Sequence, residues 1–169
     1  EGAVAPEAAL AVAMPLFDAG AQELVLADTI GAAAPPQVRT LVERAAERLP
    51  IEQLALHLHD TRGLGAANAW AGIDAGVRRF DSSLGGLGGC PFAPGAAGNL
   101  ATEDLVLLAQ QSGFDTGVPL ARLVEAVDAA EALLGRPLGG RCLPWLRRRL
   151  AGEHRREDGH EHHDERRLA

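Results

Sequence analysis

Two histidines, His57 and His59, stand two positions apart at the end of the segment from Gln53 to His59. Leu54, Leu56 and Leu58 alternate there with Ala55, His57 and His59, a strand pattern that sends both imidazoles to the same side. Two ring nitrogens at the carboxyl end of a strand could meet one divalent cation, or the rings could hydrogen-bond in a polar mouth. The spacing allows both. Asp28 and Asp81 close two other short apolar runs, where a carboxylate can face a metal, act as a base or pair with an arginine such as Arg62 or Arg79. Asn99 can cap the helix that follows it or turn its amide oxygen to a hard cation.

Between Asp81 and Asn99 lies the glycine-rich stretch from Gly85 to Gly98, a loop with the backbone freedom to close over something. A phosphate cradle fails in detail. Gly86 and Gly88 would need a glycine at 91, which is Pro91, and a Gly-Lys-Ser/Thr motif is impossible in a chain without lysine. Cys90 in this loop is a nucleophile if a cation lowers its pKa, and otherwise a small hydrophobe or a redox-sensitive bystander. Near the other end, His160, His162 and His163 offer metal-binding nitrogens, but position 164 is Asp, so the pattern is not His-Glu-x-x-His; a solvated tail is the better account.

The elements that position these residues follow from periodicity. An Ala-rich helix over residues 1–19 carries Leu10, Met14 and Phe17 on one face, with Pro15 inside it and Gly20 ending it. Glu23 to Thr29 reads as a buried strand, with Leu24 and Leu26 on one side and Val25 and Ala27 on the other. Pro35-Pro36 opens a helix whose Val38, Leu41, Val42, Ala45 and Leu49 form a stripe, and Pro50 stops it. The histidine strand comes next, then a helix over about 65–75 with Ala66, Trp70 and Ile73 on its face and Gly76 as cap. Val77 to Ser83 is a third strand, with Val77, Arg79 and Asp81 opposite Phe80. Helices at about 102–112, whose Glu103 and Asp104 suit a positive N-terminal dipole, and at about 120–134 complete the ordered part.

Three strands alternating with helices, each ending in polar residues, predict parallel βα units with their chemistry at one rim. A closed (β/α)8 barrel takes roughly 250 residues, and this chain has 169. Residues 1–145 are therefore read as a partial barrel domain and 146–169 as a charged, disordered tail or frayed helix. The first residue is Glu1 rather than Met, so the chain is treated as a fragment.

Composition narrows the classes. The net charge is −7, and up to Trp145 there are 9 Arg against 17 acids, which disfavours nucleic acid as a partner. The longest apolar run, Ala8 to Phe17, is broken by Pro15 and falls short of the roughly 20 residues a membrane span needs. Two cysteines, Cys90 and Cys142, are too few for a disulfide framework, so a reducing cytoplasm is expected.

Taken in order, Leu26-Ala27-Asp28-Thr29-Ile30-Gly31, His57-Leu58-His59-Asp60-Thr61-Arg62-Gly63 and Asp81-Ser82-Ser83 resemble the hydroxymethylglutaryl-CoA lyase family. Gly86-Leu87-Gly88-Gly89-Cys90-Pro91 and Gly98-Asn99-Leu100-Ala101-Thr102-Glu103-Asp104 add the family's most specific motif, and the likeness covers about residues 1–141. The resemblance implies an α/β fold of (β/α)8 type, of which this chain would be strands six to eight. It implies that His57, His59 and Asn99 bind Mg²⁺ or Mn²⁺ together with an aspartate from the first barrel strand. That aspartate and the arginine beside it are not in this chain. Asp28 matches an active-site aspartate and Cys90 the cysteine of a mobile active-site loop. Leu58, where a cysteine is frequent, and Arg62, where a tyrosine is common, depart from the pattern and leave acyl-CoA specificity open.

The implied reaction is retro-Claisen cleavage of (S)-3-hydroxy-3-methylglutaryl-CoA to acetoacetate and acetyl-CoA, with catalytic roles for Asp28, His57 and Cys90. Rival expectations are a lyase for another 3-hydroxyacyl-CoA, or an inactive half that needs its N-terminal partner. Expected partners are an acyl-CoA substrate and either a second copy or the missing half, with no nucleic acid and no membrane.

Overall fold

The computed structural model describes residues 4–89 and 98–152. Its elements in chain order are α1 (Pro6–Asp18), β1 (Leu24–Ala27), α2 (Pro35–Ala46), β2 (Leu54–His57), α3 (Gly65–Asp74), β3 (Arg79–Asp81), α4 (Thr102–Gln111) and α5 (Leu120–Leu134). Short 3-10 turns at Ile51–Gln53 and Leu84–Gly86 lead into β2 and out of β3. The three strands form one parallel sheet in the order β1-β2-β3. In its register Val25 stands beside Ala55 and Ala55 beside Arg79, while Ala27, His57 and Asp81 share the next level.

The period of two divides the sheet into unlike faces. Leu24, Leu26, Leu54 and Leu56 are buried together with Leu10 of α1, Val38, Val42 and Ala45 of α2 and Ala69 of α3. On the other face Val25 is 48% exposed, because no helix or strand of the described chain covers it. That face carries His57 and Asp81, so the packed side anchors the strands and the open side presents the chemistry.

The helices follow the expected stripes, with one correction on α3. Trp70, expected on its buried face along with Ala66, is 44% exposed; the buried positions are Gly65, Asn68, Ala69, Ala71, Gly72 and Ile73. The reason is close packing: a Cβ placed on Gly72 would come within 2.3 Å of Leu56 Cδ1, so an indole has no room between this helix and the sheet. β3 also starts later than expected, at Arg79, and Val77 turns into the core with its N–H on the Gly72 carbonyl at 2.9 Å.

A second, smaller core joins Val124 and Val127 of α5 to Leu143 and Leu146, which are 1% and 2% exposed. Residues 143–152 are helical, so the packed chain runs past Trp145, where the charged tail was expected to begin. Leu143, Leu146 and Leu150 recur at helical spacing among the arginines and supply the apolar stripe that composition alone obscured. His160, His162 and His163 lie outside the described residues. Among the described residues no helix is long and apolar enough to cross a membrane.

Candidate metal centre

The site is built at the carboxyl end of the sheet. β2 ends at His57, and the chain continues extended to His59, which pairs in an antiparallel bridge with Asn99. Leu100 N–H bonds to the Leu58 carbonyl at 2.9 Å and Asp60 N–H to the Gly98 carbonyl at 2.9 Å, so the segment 98–100 is laced directly onto the histidine strand. Residues opposed across such a bridge project side chains to one face. Asn99, remote in sequence, is thereby set beside His59.

The two imidazoles meet with Nε2 atoms 3.0 Å apart and ring planes at 69°. His59 is buried, while His57 is about one-third exposed at the open face. Nδ1 of His57 is held by the Asp81 carboxylate, its neighbour in the β2–β3 register. That pairing leaves Nε2 facing His59, in the way a carboxylate orients a metal-bound histidine. Nδ1 of His59 is buried without a partner among the described residues, which leaves Nε2 as the nitrogen that this ring offers to the site.

These donors fit a divalent ion. The two Nε2 atoms stand at hydrogen-bond distance from each other, which is also the separation of about 3.0 Å expected for two nitrogens held about 2.1 Å from one octahedral ion at right angles. Among the described residues no group of three or more His, Cys, Asp or Glu could hold a metal ion, and the residue that the bridge sets beside His59 is Asn99. Its amide nitrogen donates to the Leu87 carbonyl at 3.0 Å, so any cation would have to be met by the carboxamide oxygen.

Asp28 sits at the end of β1, where its N–H bonds the His57 carbonyl at 2.9 Å. Its two carboxylate oxygens accept the N–H groups of Ala32 and Ala33 at 2.9 and 3.1 Å, fixing the turn that leads to α2. Cys90 lies outside the described residues. A cleft of about 530 Å³ opens next to Asn99, with Gly86, Leu87, Arg136 and Arg141 in its walls.

Two partnerships escaped the sequence. Asp81 serves His57 rather than an arginine, while Arg79 crosses above the small Ala55 to bond Glu23 at 2.5 Å. Glu103 is fully buried and bonds backbone N–H groups on two separate loops. The register of β3 against β2 would have revealed the first; nothing local reveals the second.

The HMGL-like family model matches residues 1–129. The chain belongs to the HMGL-like family. It is 47% identical over 153 residues to hydroxymethylglutaryl-CoA lyase of Pseudomonas mevalonii, covering 90% of this chain and 51% of that protein. It is 50% identical over 138 residues to (R)-citramalyl-CoA lyase of Chloroflexus aurantiacus, covering 82% of this chain and 44% of that one. The crystal structure of hydroxymethylglutaryl-CoA lyase from Pseudomonas aeruginosa superposes with a TM-score of 0.84 at 41% identity, over 88% of this chain and 50% of that chain. The chain thus spans about half the length of the family members it matches. Its α/β architecture is that of the carbon–carbon lyases in this family.

Proposed function

We propose that this chain carries the metal-binding half of a lyase that cleaves (S)-3-hydroxy-3-methylglutaryl-CoA to acetoacetate and acetyl-CoA. The observation that carries the reading is the His57–His59 pair, with Nε2 atoms 3.0 Å apart and Asp81 on the far nitrogen of His57, in a chain of this family. His57, His59 and Asn99 would hold Mg²⁺ or Mn²⁺. Such an ion, when bound, lowers the pKa of a chelating hydroxyl and fixes it beside an adjacent oxygen.

The chemistry asks for few groups. The tertiary hydroxyl loses its proton, the C2–C3 bond breaks, C3 becomes the ketone of acetoacetate, and C2 leaves as a thioester enolate that must gain a proton. Asp28 has a second acceptor position on each oxygen beyond the bonds to Ala32 and Ala33, so it can orient the substrate hydroxyl or take its proton. With Nδ1 on Asp81, Nε2 of His57 can either ligate the ion or, when not so engaged, carry a proton. Cys90, in the glycine-rich loop, is assigned the exclusion of water or proton delivery to the enolate.

The site is completed from outside this chain. The open sheet face with its exposed Val25 reads as the interior of a barrel whose first five strands, bearing an Arg-Asp pair, belong to another part of the protein. On this reading β1, β2 and β3 are barrel strands six to eight, and the complete enzyme works in the cytoplasm. The likeness to (R)-citramalyl-CoA lyase supports a second reading, a lyase for a different 3-hydroxyacyl-CoA.

The test is Mg²⁺-dependent release of acetyl-CoA by the chain alone and with a polypeptide supplying the first five strands. Release from hydroxymethylglutaryl-CoA only in the complemented sample is expected. Preference for citramalyl-CoA would select the second reading. Full turnover by the lone chain would defeat the division into halves.

A further inference from the structure

Glu103, in the first turn of α4, is 0% exposed, and its carboxylate meets backbone rather than a cation. One oxygen accepts Gly85 N–H at 3.0 Å and the other accepts Gly140 N–H at 2.9 Å. The two loops are joined a second time by Gly139 N–H on the Gly85 carbonyl at 3.0 Å. Both glycines are required by the geometry. Gly85 has a φ of +59°, and a Cβ on it would lie 2.7 Å from Leu138 Cβ. A Cβ on Gly140 would lie 2.7 Å from Glu103 Oε1.

Gly85 is the middle of the 3-10 turn Leu84–Gly86, and the next residue, Leu87, offers the carbonyl that the Asn99 side-chain amide donates to. Gly88 follows so closely that a Cβ there would lie 2.7 Å from Asn99 Nδ2. A short chain of bonds therefore runs from Glu103 through Gly85 and Leu87 to Asn99. Asp104, next along α4, makes a parallel connection that misses this route: its oxygens accept the N–H groups of Arg141 and Cys142, each at 2.8 Å.

We propose that Glu103 is a positioning residue that sets the 84–88 turn so that the Leu87 carbonyl holds the Asn99 carboxamide with its oxygen toward the histidine pair. The role rests on the metal reading above and deepens it. An ionised carboxylate supplies two acceptor atoms for two N–H donors, whereas a carboxamide of the same size supplies one and presents an N–H₂ group to the other donor.

The test compares Glu103→Gln, Asp104→Asn and His57→Ala in the full 169-residue chain. Free Mn²⁺ is titrated by electron paramagnetic resonance, and the Asn99 side-chain amide protons are followed by NMR without metal. The expected result is about tenfold weaker Mn²⁺ binding in Glu103→Gln, with loss of the hydrogen-bonded Asn99 amide shift, while Asp104→Asn keeps both near wild type and His57→Ala loses Mn²⁺ alone. Wild-type values in Glu103→Gln, or equal losses in Asp104→Asn, would overturn the positioning role. Should the wild-type chain not bind Mn²⁺, the metal reading falls, and an unmoved Asn99 amide would overturn the positioning role as well. If Glu103→Gln does not fold by circular dichroism, Gly140→Ala, which pushes on the carboxylate without removing it, must shift the same Asn99 amide or the proposal fails.

Discussion

His57 and Asp81 occupy one register position on adjacent parallel strands, and the carboxylate of Asp81 holds Nδ1 of the imidazole. A ring oriented this way has its other nitrogen, Nε2, 3.0 Å from Nε2 of His59. Replacing Asp81 by alanine removes the orienting partner while leaving both histidines in place. Partners of this kind contribute about 10–100-fold to metal affinity. Calorimetric titration with Mn²⁺ should show a loss in that range, and unchanged affinity would deny Asp81 its role.

Glu131 on α5 accepts Leu138 N–H at 2.8 Å and pairs with Arg147 at 2.7 Å, tying the last helical segment to the rest. The Leu138 hydrogen bond, with Arg147 adding, holds its carboxyl below the usual glutamate range against an opposing effect of burial. A carboxyl lowered in the folded state stabilises the fold above the ordinary glutamate value of about 4.3, and that contribution disappears as pH falls through the lowered value. Thermal melting of Glu131→Gln against wild type should therefore show its largest deficit near about pH 6 and a shrinking one toward about pH 3. A deficit that grew on acidification would contradict this sign.

Cys142 is half-buried, and desolvation raises its thiol well above the normal cysteine range, with Asp104 reinforcing the effect. Only the thiolate attacks an alkylating reagent. Peptide mapping after iodoacetamide treatment at about pH 8 should find Cys142 unmodified in the folded chain and modified in urea. Fast modification of the native thiol would refute the buried, acid-flanked environment.

Leu146 lies 2% exposed among Val124, Val127 and Leu143. Truncating it to alanine should destabilise the chain by about 2–5 kcal/mol, as buried leucines do. Urea unfolding followed by circular dichroism measures this; a change below about 0.5 kcal/mol, the scale of a surface substitution, would return residues beyond Trp145 to a solvated tail.

The local pattern determined a good deal by itself. Alternating Leu24, Leu26, Leu54 and Leu56, the Val38–Val42–Ala45 stripe and the glycine breaks specify three βα units, because the periods of strand and helix are written in adjacent residues. The same alternation put His57 and His59 on one side of their strand.

Relations that depend on tertiary packing were another matter. Trp70 faces outward because Gly72 must touch Leu56, a constraint held by a residue on a different element. Asp81 serves His57 and not an arginine because the β2–β3 register aligns them, and Asn99 reaches the site because segment 98–100 pairs with the residues after β2. Glu103 suits a helix dipole by its place in the first turn of α4, but its two oxygens accept the N–H groups of Gly85 and Gly140, which no local pattern encodes. Sequence spacing sets which side of its own element a residue occupies, and only the folding of separate elements onto one another decides which groups then stand within hydrogen-bond reach.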